Sequence, residues 1–241
     1  MIKIRNKKSL GQNFLIDKNV VRKIVGLIKV KNKNIIEIGP GEGALTNEIL
    51  YQKPKSLTLI EKDNSLSGKL AIKYRGNKIV KNINADILKF NLEKLNIKNS
   101  IIFGNLPYNI SSQILVKILR FKKWPPYFSD VIFMFQKELG DKIIGKFPSS
   151  NYSRLGILTN YRLNFLSKFY VSANCFFPKP KVNSTVIHFK PKLSSKFLIN
   201  DLKNLEKVTN IIFSNKRKMI KKSIRKLLNA DDIAKIKNLN L

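Results

Sequence analysis

The stretch NIIEIGPGEGALT, residues 34–46, constrains this chain most: a β-rich run enters three closely spaced glycines and leaves as a helix-period segment. Glycine adopts backbone conformations closed to other residues and lets a ligand approach the main chain. A strand, a tight glycine turn and a helix form the opening unit of a parallel α/β sheet. The rest of the chain continues the alternation that such a sheet needs. Further strand-like runs lie at 57–61, 78–84, 101–105 and 130–136, with helical periodicity at 44–51, 64–74 and 112–120 between them. Two more β-like runs, around 169–173 and at 184–190, follow a helical stretch at 152–161. Before the glycine turn, residues 19–28 place Val20, Ile24, Leu27 and Ile28 on one helical face. The expected fold is therefore α/β with a mostly parallel sheet.

Near residues 190–196 the texture changes to Pro, Ser and Lys, and everything beyond is helical in period. This predicts a first domain over 1–192, with 1–30 as an N-terminal arm and helix, and a small helical domain over 193–241. The 241 residues suffice for one large and one small domain. The net charge of +32 points to a polyanionic partner, nucleic acid above all, although part of the Lys excess is compositional habit. A single cysteine, Cys175, excludes an internal disulfide framework. The single histidine, His188, leaves no zinc set and no Ser-His-Asp or Cys-His pairing, so no metal is expected and His188 reads as structural. No apolar run is long enough for a transmembrane helix, and the basic start leads into no signal core. A cytoplasmic protein with no membrane role follows as the expectation.

Past the glycine turn, Glu61 ends the next strand, where a carboxylate can take both ribose hydroxyls of an adenosine-containing ligand. Gly39, Gly41 and Ala44 also fit the dinucleotide pattern, so the glycines alone leave NAD open. With Glu37 ahead of the turn, however, the E-x-G-x-G-x-G form resembles S-adenosylmethionine-dependent methyltransferases. That resemblance implies that Asp86, at the end of the third strand, takes the adenine amino group of the cofactor, with Ile87 beside it. Read alone, Asp86 is equally a helix N-cap.

The fourth strand, IIFGNLPYNI at 101–110, begins as a buried run and ends in residues that neither extend a strand nor fill a core. Beside a methyl sulfonium its composition becomes specific. An exocyclic adenine amine is a poor nucleophile, because its lone pair is delocalised into the ring. Acceptors on its hydrogens, the Asn105 side-chain oxygen and the Leu106 carbonyl, favour a pyramidal nitrogen. Pro107 has a fixed φ and no N–H, so it can hold that carbonyl outward. Tyr108 offers a face on which a base can stack. Out of context, Asn-Leu-Pro-Tyr is more often a turn.

Taken together, these segments resemble the ribosomal RNA adenine N6-dimethyltransferases, specifically the branch that dimethylates two adjacent adenosines near the 3′ end of small-subunit ribosomal RNA. KKSLGQNFL at 7–15 resembles the family's N-terminal signature, MFQKE at 134–138 its fifth-strand motif, and FFPKPKVNS at 176–184 the pattern F-x-P-x-P-K-V-[DN]-S. The resemblance implies a Rossmann-like fold with a seven-stranded, mostly parallel sheet and a small all-helical C-terminal domain. It implies S-adenosyl-L-methionine as cofactor, contacted by Asn13, Leu15, Gly39, Gly41, Glu61, Asp86, Ile87 and Asn105. Phe176 is implied to stack on the target adenine opposite Tyr108. The partner implied is the small ribosomal subunit and its rRNA, met by a monomer. A sister branch acts on large-subunit rRNA and confers antibiotic resistance; the Gly-Pro-Gly at 39–41 and Leu106 favour the small-subunit branch.

The tail SNKRKMIKKSIRKLL at 214–228 puts Phe213, Ile220, Ile224 and Leu227 on one helical face and basic residues on most others. It resembles the family's basic C-terminal groove, which makes Lys216, Arg217, Lys218, Lys221, Lys222 and Arg225 candidate phosphate contacts. Because the chain ends at Leu241, that domain is expected to be shortened. A rival reading from another class is a non-catalytic ribosome-assembly factor, against which the intact Asn105–Tyr108 segment argues.

Overall fold

The computed structural model describes residues 12–193 and 202–214. In chain order the elements are β1 (Phe14–Leu15), α1 (Lys18–Val25), β2 (Asn34–Ile38), α2 (Ala44–Tyr51), β3 (Ser56–Glu61), α3 (Asn64–Lys73), β4 (Val80–Asn84), β5 (Ser100–Asn105), α4 (Ser111–Leu119), β6 (Phe128–Gln136), α5 (Lys137–Ile144), α6 (Arg154–Arg162), β7 (Leu163–Val171), β8 (Phe176–Phe177), β9 (Ser184–Pro191) and α7 (Leu202–Phe213). Single 3-10 turns occupy Leu92–Leu95 and Ala173–Cys175. Helix starts follow local chemistry: the Asp17 carboxylate accepts from the Asn19 and Val20 amides at α1, and Asp63 does the same for Ser65 and Leu66 at α3.

The seven-stranded sheet has the order β4-β3-β2-β5-β6-β9-β7. Strands β4 to β6 run parallel, while β9 joins β6 and β7 antiparallel, so the expected seven-stranded, mostly parallel sheet is present. The inner strands β2, β3 and β5 are buried on both faces, as the continuous apolar runs of a parallel sheet require. After β4 the chain crosses to the other side of β2 to form β5. The carboxyl ends of β2, β3 and β5 therefore meet at a topological switch point, where open α/β sheets bind ligands. His188 has the structural role expected of it: its Nε2 lies 2.8 Å from Asp130 Oδ1, and both residues are buried between β9 and β6.

Two elements differ from expectation for identifiable reasons. Strand β7 begins at Leu163, well ahead of the run read near 169–173, because a register irregularity between Phe165 and Ser167 breaks the alternation that betrays a strand. Helix α5 begins in the last two residues of the fifth-strand motif and continues to Ile144; Lys137 and Asp141 pair along it at 2.8 Å.

The chain separates into two compact units, Met1–Asp141 with Arg162–Ser194, and Lys142–Tyr161 with Ser195–Leu241. This differs from a single cut after residue 192, since 142–161 group with the C-terminal residues. Within that second unit, Arg154 Nη2 donates to the Glu206 carbonyl at 3.3 Å, and the rings of Tyr152 and Phe213 lie 5.7 Å apart. Such contacts between distant segments leave no trace in local texture. Among the described residues no helix is long and apolar enough to cross a membrane, and no group of three or more His, Cys, Asp or Glu is placed to hold a metal.

Candidate active site

Two adjoining clefts open at the switch point and share Gln12, Gly39, Glu61 and Pro107 as walls. Asn13, Leu15, Gly41, Asn105, Leu106 and Tyr108 line the first, and Asp86 and Ile87 line the second. Every residue expected to contact the cofactor thus lines one or both of these adjoining clefts. In a protein of net charge +32, the first cleft is lined by Glu37, Glu42 and Glu61 and by no Lys or Arg among the described residues. Glu42 pairs with Lys69 at 3.3 Å and burial raises Glu37 to about 7, which leaves Glu61 as the carboxylate that can face a cationic ligand.

The glycine turn shapes the floor. Gly41 has φ +58°, and a Cβ there would lie 3.0 Å from the Phe14 ring, so only glycine lets the N-terminal arm close over the turn. The amide of Gly41 donates to Glu61 Oε2 at 3.2 Å, and that of Asp63 donates to Oε1 at 2.8 Å. Burial raises the Glu61 pKa, and these amides partly offset it. Each carboxylate oxygen carries two acceptor sites, so a pair of ligand hydroxyls can be taken without breaking either bond.

Behind the turn, Glu37 is fully buried and its Oε2 accepts from Thr46 Oγ1 at 2.7 Å. Burial pushes this carboxyl up from 4.5 to about 7, and the nearby Glu61 adds to the rise. A raised pKa in the folded state means that the stabilising proton is fully held below pH 4.5 and lost as pH rises through 7. Ionising the group costs on the order of 3 kcal/mol of stability. Glu37→Gln, which cannot ionise, should therefore melt progressively higher than the parent between about pH 5 and 8, in thermal denaturation scans at fixed ionic strength.

Asp86 caps a turn rather than a helix, and it also lines the second cleft. Oδ1 accepts from the Leu88 amide at 2.9 Å and the main-chain oxygen accepts from Lys89 and Phe90, which is capping geometry. Oδ2 pairs with Lys62 Nζ at 2.9 Å, and this bond holds the carboxyl below its ordinary pKa while the residue still lines the second cleft.

At the end of β5, Asn105 Nδ2 donates to the main-chain oxygen of Asn13 at 3.3 Å. The amide is thereby oriented with its side-chain oxygen left to accept. The Leu106 side chain is buried, so what that residue can offer a ligand is main chain. Gly104 accommodates it, since a Cβ there would lie 2.6 Å from Leu106 Cδ2. A turn follows, with the Ile110 amide donating to the Pro107 carbonyl at 3.1 Å and Ser111 Oγ to that of Tyr108 at 3.1 Å.

The Tyr108 hydroxyl lies 2.6 Å from Ser184 Oγ, at the buried start of β9. In the sequence Ser184 only closes the F-x-P-x-P-K-V-[DN]-S pattern and carries no task of its own; nothing local shows that β9 begins beside β5's turn. The bond sets the plane of the ring. On the expectation that a base stacks on the ring face, Tyr108→Phe and Ser184→Ala should each lower kcat only a few-fold. The double variant should be no worse than either, because both remove one interaction. Tyr108→Ala should lose about tenfold or more in kcat/KM. Steady-state kinetics on the four variants checks this.

Phe176, the ring expected to stack on the target adenine, has a buried side chain. It pairs with Leu15 across the β1–β8 ribbon, is 3% exposed and belongs to the core that includes Val21, Ile24 and Phe103. Alternation along β8 turns the next ring outward instead, and Phe177 is 51% exposed. The basic candidates Lys216, Arg217, Lys218, Lys221, Lys222 and Arg225 lie outside the described residues.

A Rossmann-like sheet with acids at the ends of β2 and β3 and an Asn-Leu-Pro-Tyr turn at the end of β5 defines the methyltransferase fold class. The solved 23S rRNA methyltransferase ErmE shares it, with a TM-score of 0.68 and 25% identity over 89% of this chain and 84% of that one. A dimethyladenosine transferase from Plasmodium falciparum is similar at TM-score 0.74 and 30% identity, covering 88% of this chain and 74% of that one. The "Ribosomal RNA small subunit methyltransferase A" of Pelagibacter ubique is 43% identical over 232 residues, 96% of this chain and 87% of the relative. The family model for ribosomal RNA adenine dimethylase matches residues 3–240, and the chain belongs to that family.

Proposed function

We propose that this enzyme transfers methyl groups from S-adenosyl-L-methionine to the N6 amines of two adjacent adenosines near the 3′ end of small-subunit ribosomal RNA, acting as a cytoplasmic monomer in subunit maturation. The observation that carries the reading is the Asn105 amide, tied through Nδ2 to Asn13 and presenting an acceptor oxygen in the same cleft as Gly41 and Glu61. The residues suit the cofactor. Glu61 has acceptor capacity for two ribose hydroxyls and a charge that suits a nearby sulfonium, and Asp86 has acceptor capacity for an adenine amine.

When bound, the cofactor supplies an electrophilic methyl group. Asn105 Oδ1 and the Leu106 carbonyl accept the hydrogens of the adenine amine and favour a nitrogen with a usable lone pair. No side chain has to remove a proton before attack, because the amine becomes acidic only as it acquires positive charge. Most of the rate comes from positioning and from these fixed dipoles. The base must leave its stack, at a cost of a few kcal/mol that the Tyr108 face partly offsets. For the second transfer one hydrogen remains to be held, and the monomethylated amine must rotate.

The small-subunit reading is favoured over its large-subunit sister by the name and identity of the Pelagibacter relative, set against 25% identity to ErmE. Incubation with labelled cofactor and unmethylated ribosomal subunits tests it: label is expected in small-subunit adenosine. Label in large-subunit RNA would favour the sister reading, and binding of immature subunits without label would favour the assembly-factor reading.

A further inference from the structure

We propose that Phe177, Lys179 and Lys181 form a second nucleotide-binding platform at the mouth of the cleft, on which the base next to the target adenine stacks; this rests on the RNA methyltransferase reading above. Phe177 is directly opposite Phe14 in the β1–β8 ribbon, so the two side chains share a face, with Cβ atoms about 5 Å apart. Phe14 lines the cofactor cleft and lies over Gly41. The exposed Phe177 ring therefore stands next to a residue of the cleft wall.

The loop that follows is held rather than loose. Pro180 is buried, the Asn183 side-chain oxygen accepts from the Ala173 amide at 3.0 Å, and the Asn183 carbonyl accepts from the Lys137 amide at 2.9 Å. From this support it exposes Phe177, Lys179, Lys181 and Val182. A lone exposed phenyl ring is unremarkable on a protein surface. A preordered phenyl ring with two lysines beside this cleft has a narrower use. Its partner offers a flat π-face and closely spaced negative charges, which is a single RNA strand. The charges also divide the labour: the Glu61 carboxylate in the cleft repels phosphate while the exposed lysines attract it, so the strand is kept outside and only the base enters.

The test is binding of a fluorescent single-stranded RNA with two adjacent adenines, followed by anisotropy across a salt series, with cofactor affinity and melting temperature as folding controls. Phe177→Ala should weaken RNA binding about tenfold with cofactor affinity unchanged, and Phe177→Trp should restore it. Lys179→Gln with Lys181→Gln should flatten the slope of log affinity against log salt by about 1.4, or about 0.7 for each phosphate no longer neutralised. A folded Phe177→Ala protein that binds this RNA as the parent does would overturn the platform, as would a parent protein that does not bind it. Binding is read without methyl transfer, which keeps the two readings separable. Parent protein that binds RNA in this pattern but labels no adenosine contradicts the enzyme reading alone, whereas normal binding and methylation by Phe177→Ala contradict the platform alone.

Discussion

Asn105→Ala is expected to lower kcat for adenosine methylation by about a hundredfold or more while changing cofactor affinity far less. In the proposed reaction the side-chain oxygen acts on an amine that gains positive charge only as the methyl arrives. Removing it therefore weakens the transition state more than the ground state. Loss of one preorganised polar partner of this kind costs about 3–4 kcal/mol of barrier. The arm contributes to the same effect, since the Asn13 carbonyl holds the amide in its accepting orientation. Asn105→Asp keeps an acceptor but loses the donor to Asn13, so it should fall between the parent and the alanine variant. Single-turnover rates with saturating cofactor, alongside calorimetric titration of the cofactor, separate chemistry from binding.

Glu61→Ala should have the second large effect, and on the other quantity. Its carboxylate accepts from the Gly41 and Asp63 amides, and its two further acceptor sites suit the ribose hydroxyls. Hydrogen bonds to a charged group contribute about 1.5–3 kcal/mol each, so losing both should raise the cofactor Kd by at least about a hundredfold. The abandoned amides of Gly41 and Asp63 should also lower the melting temperature. Glu61→Gln retains one acceptor oxygen and a neutral head, so about a tenfold rise in Kd is expected. Calorimetry with S-adenosylmethionine measures both variants. An alanine variant that binds cofactor normally would remove Glu61 from the site.

Much of the site was legible because it is built from punctuation. Glycine turns, a carboxylate at a strand end and an Asn-Leu-Pro-Tyr break in an apolar run each stand out locally, and the alternation of periods fixes their place at the carboxyl edge of one sheet. What could not be read was contact made across the sequence. Ser184 reaches the Tyr108 hydroxyl from a strand that begins far along the chain, and Asn13 orients Asn105 from the opposite end. The grouping of 142–161 with the C-terminal residues is of the same kind. Phe176 and Phe177 give the sharpest case. They are identical in type and adjacent in sequence, and only the pairing of β8 with β1 decides which ring is buried and which is exposed. Glu37 shows the energetic version: its position ahead of the turn was plain, but burial, opposed in part by the Thr46 bond, gives it a proton near neutral pH.

The central claim is tested most directly by incubating the protein with S-adenosylmethionine and unmethylated small subunits, then digesting the 3′ region of the rRNA and identifying its nucleosides by mass spectrometry. Two neighbouring N6,N6-dimethyladenosines per subunit, absent with Asn105→Ala, are the predicted result. Unmodified adenosine, a methyl on any atom other than N6, or modification confined to large-subunit RNA would contradict it.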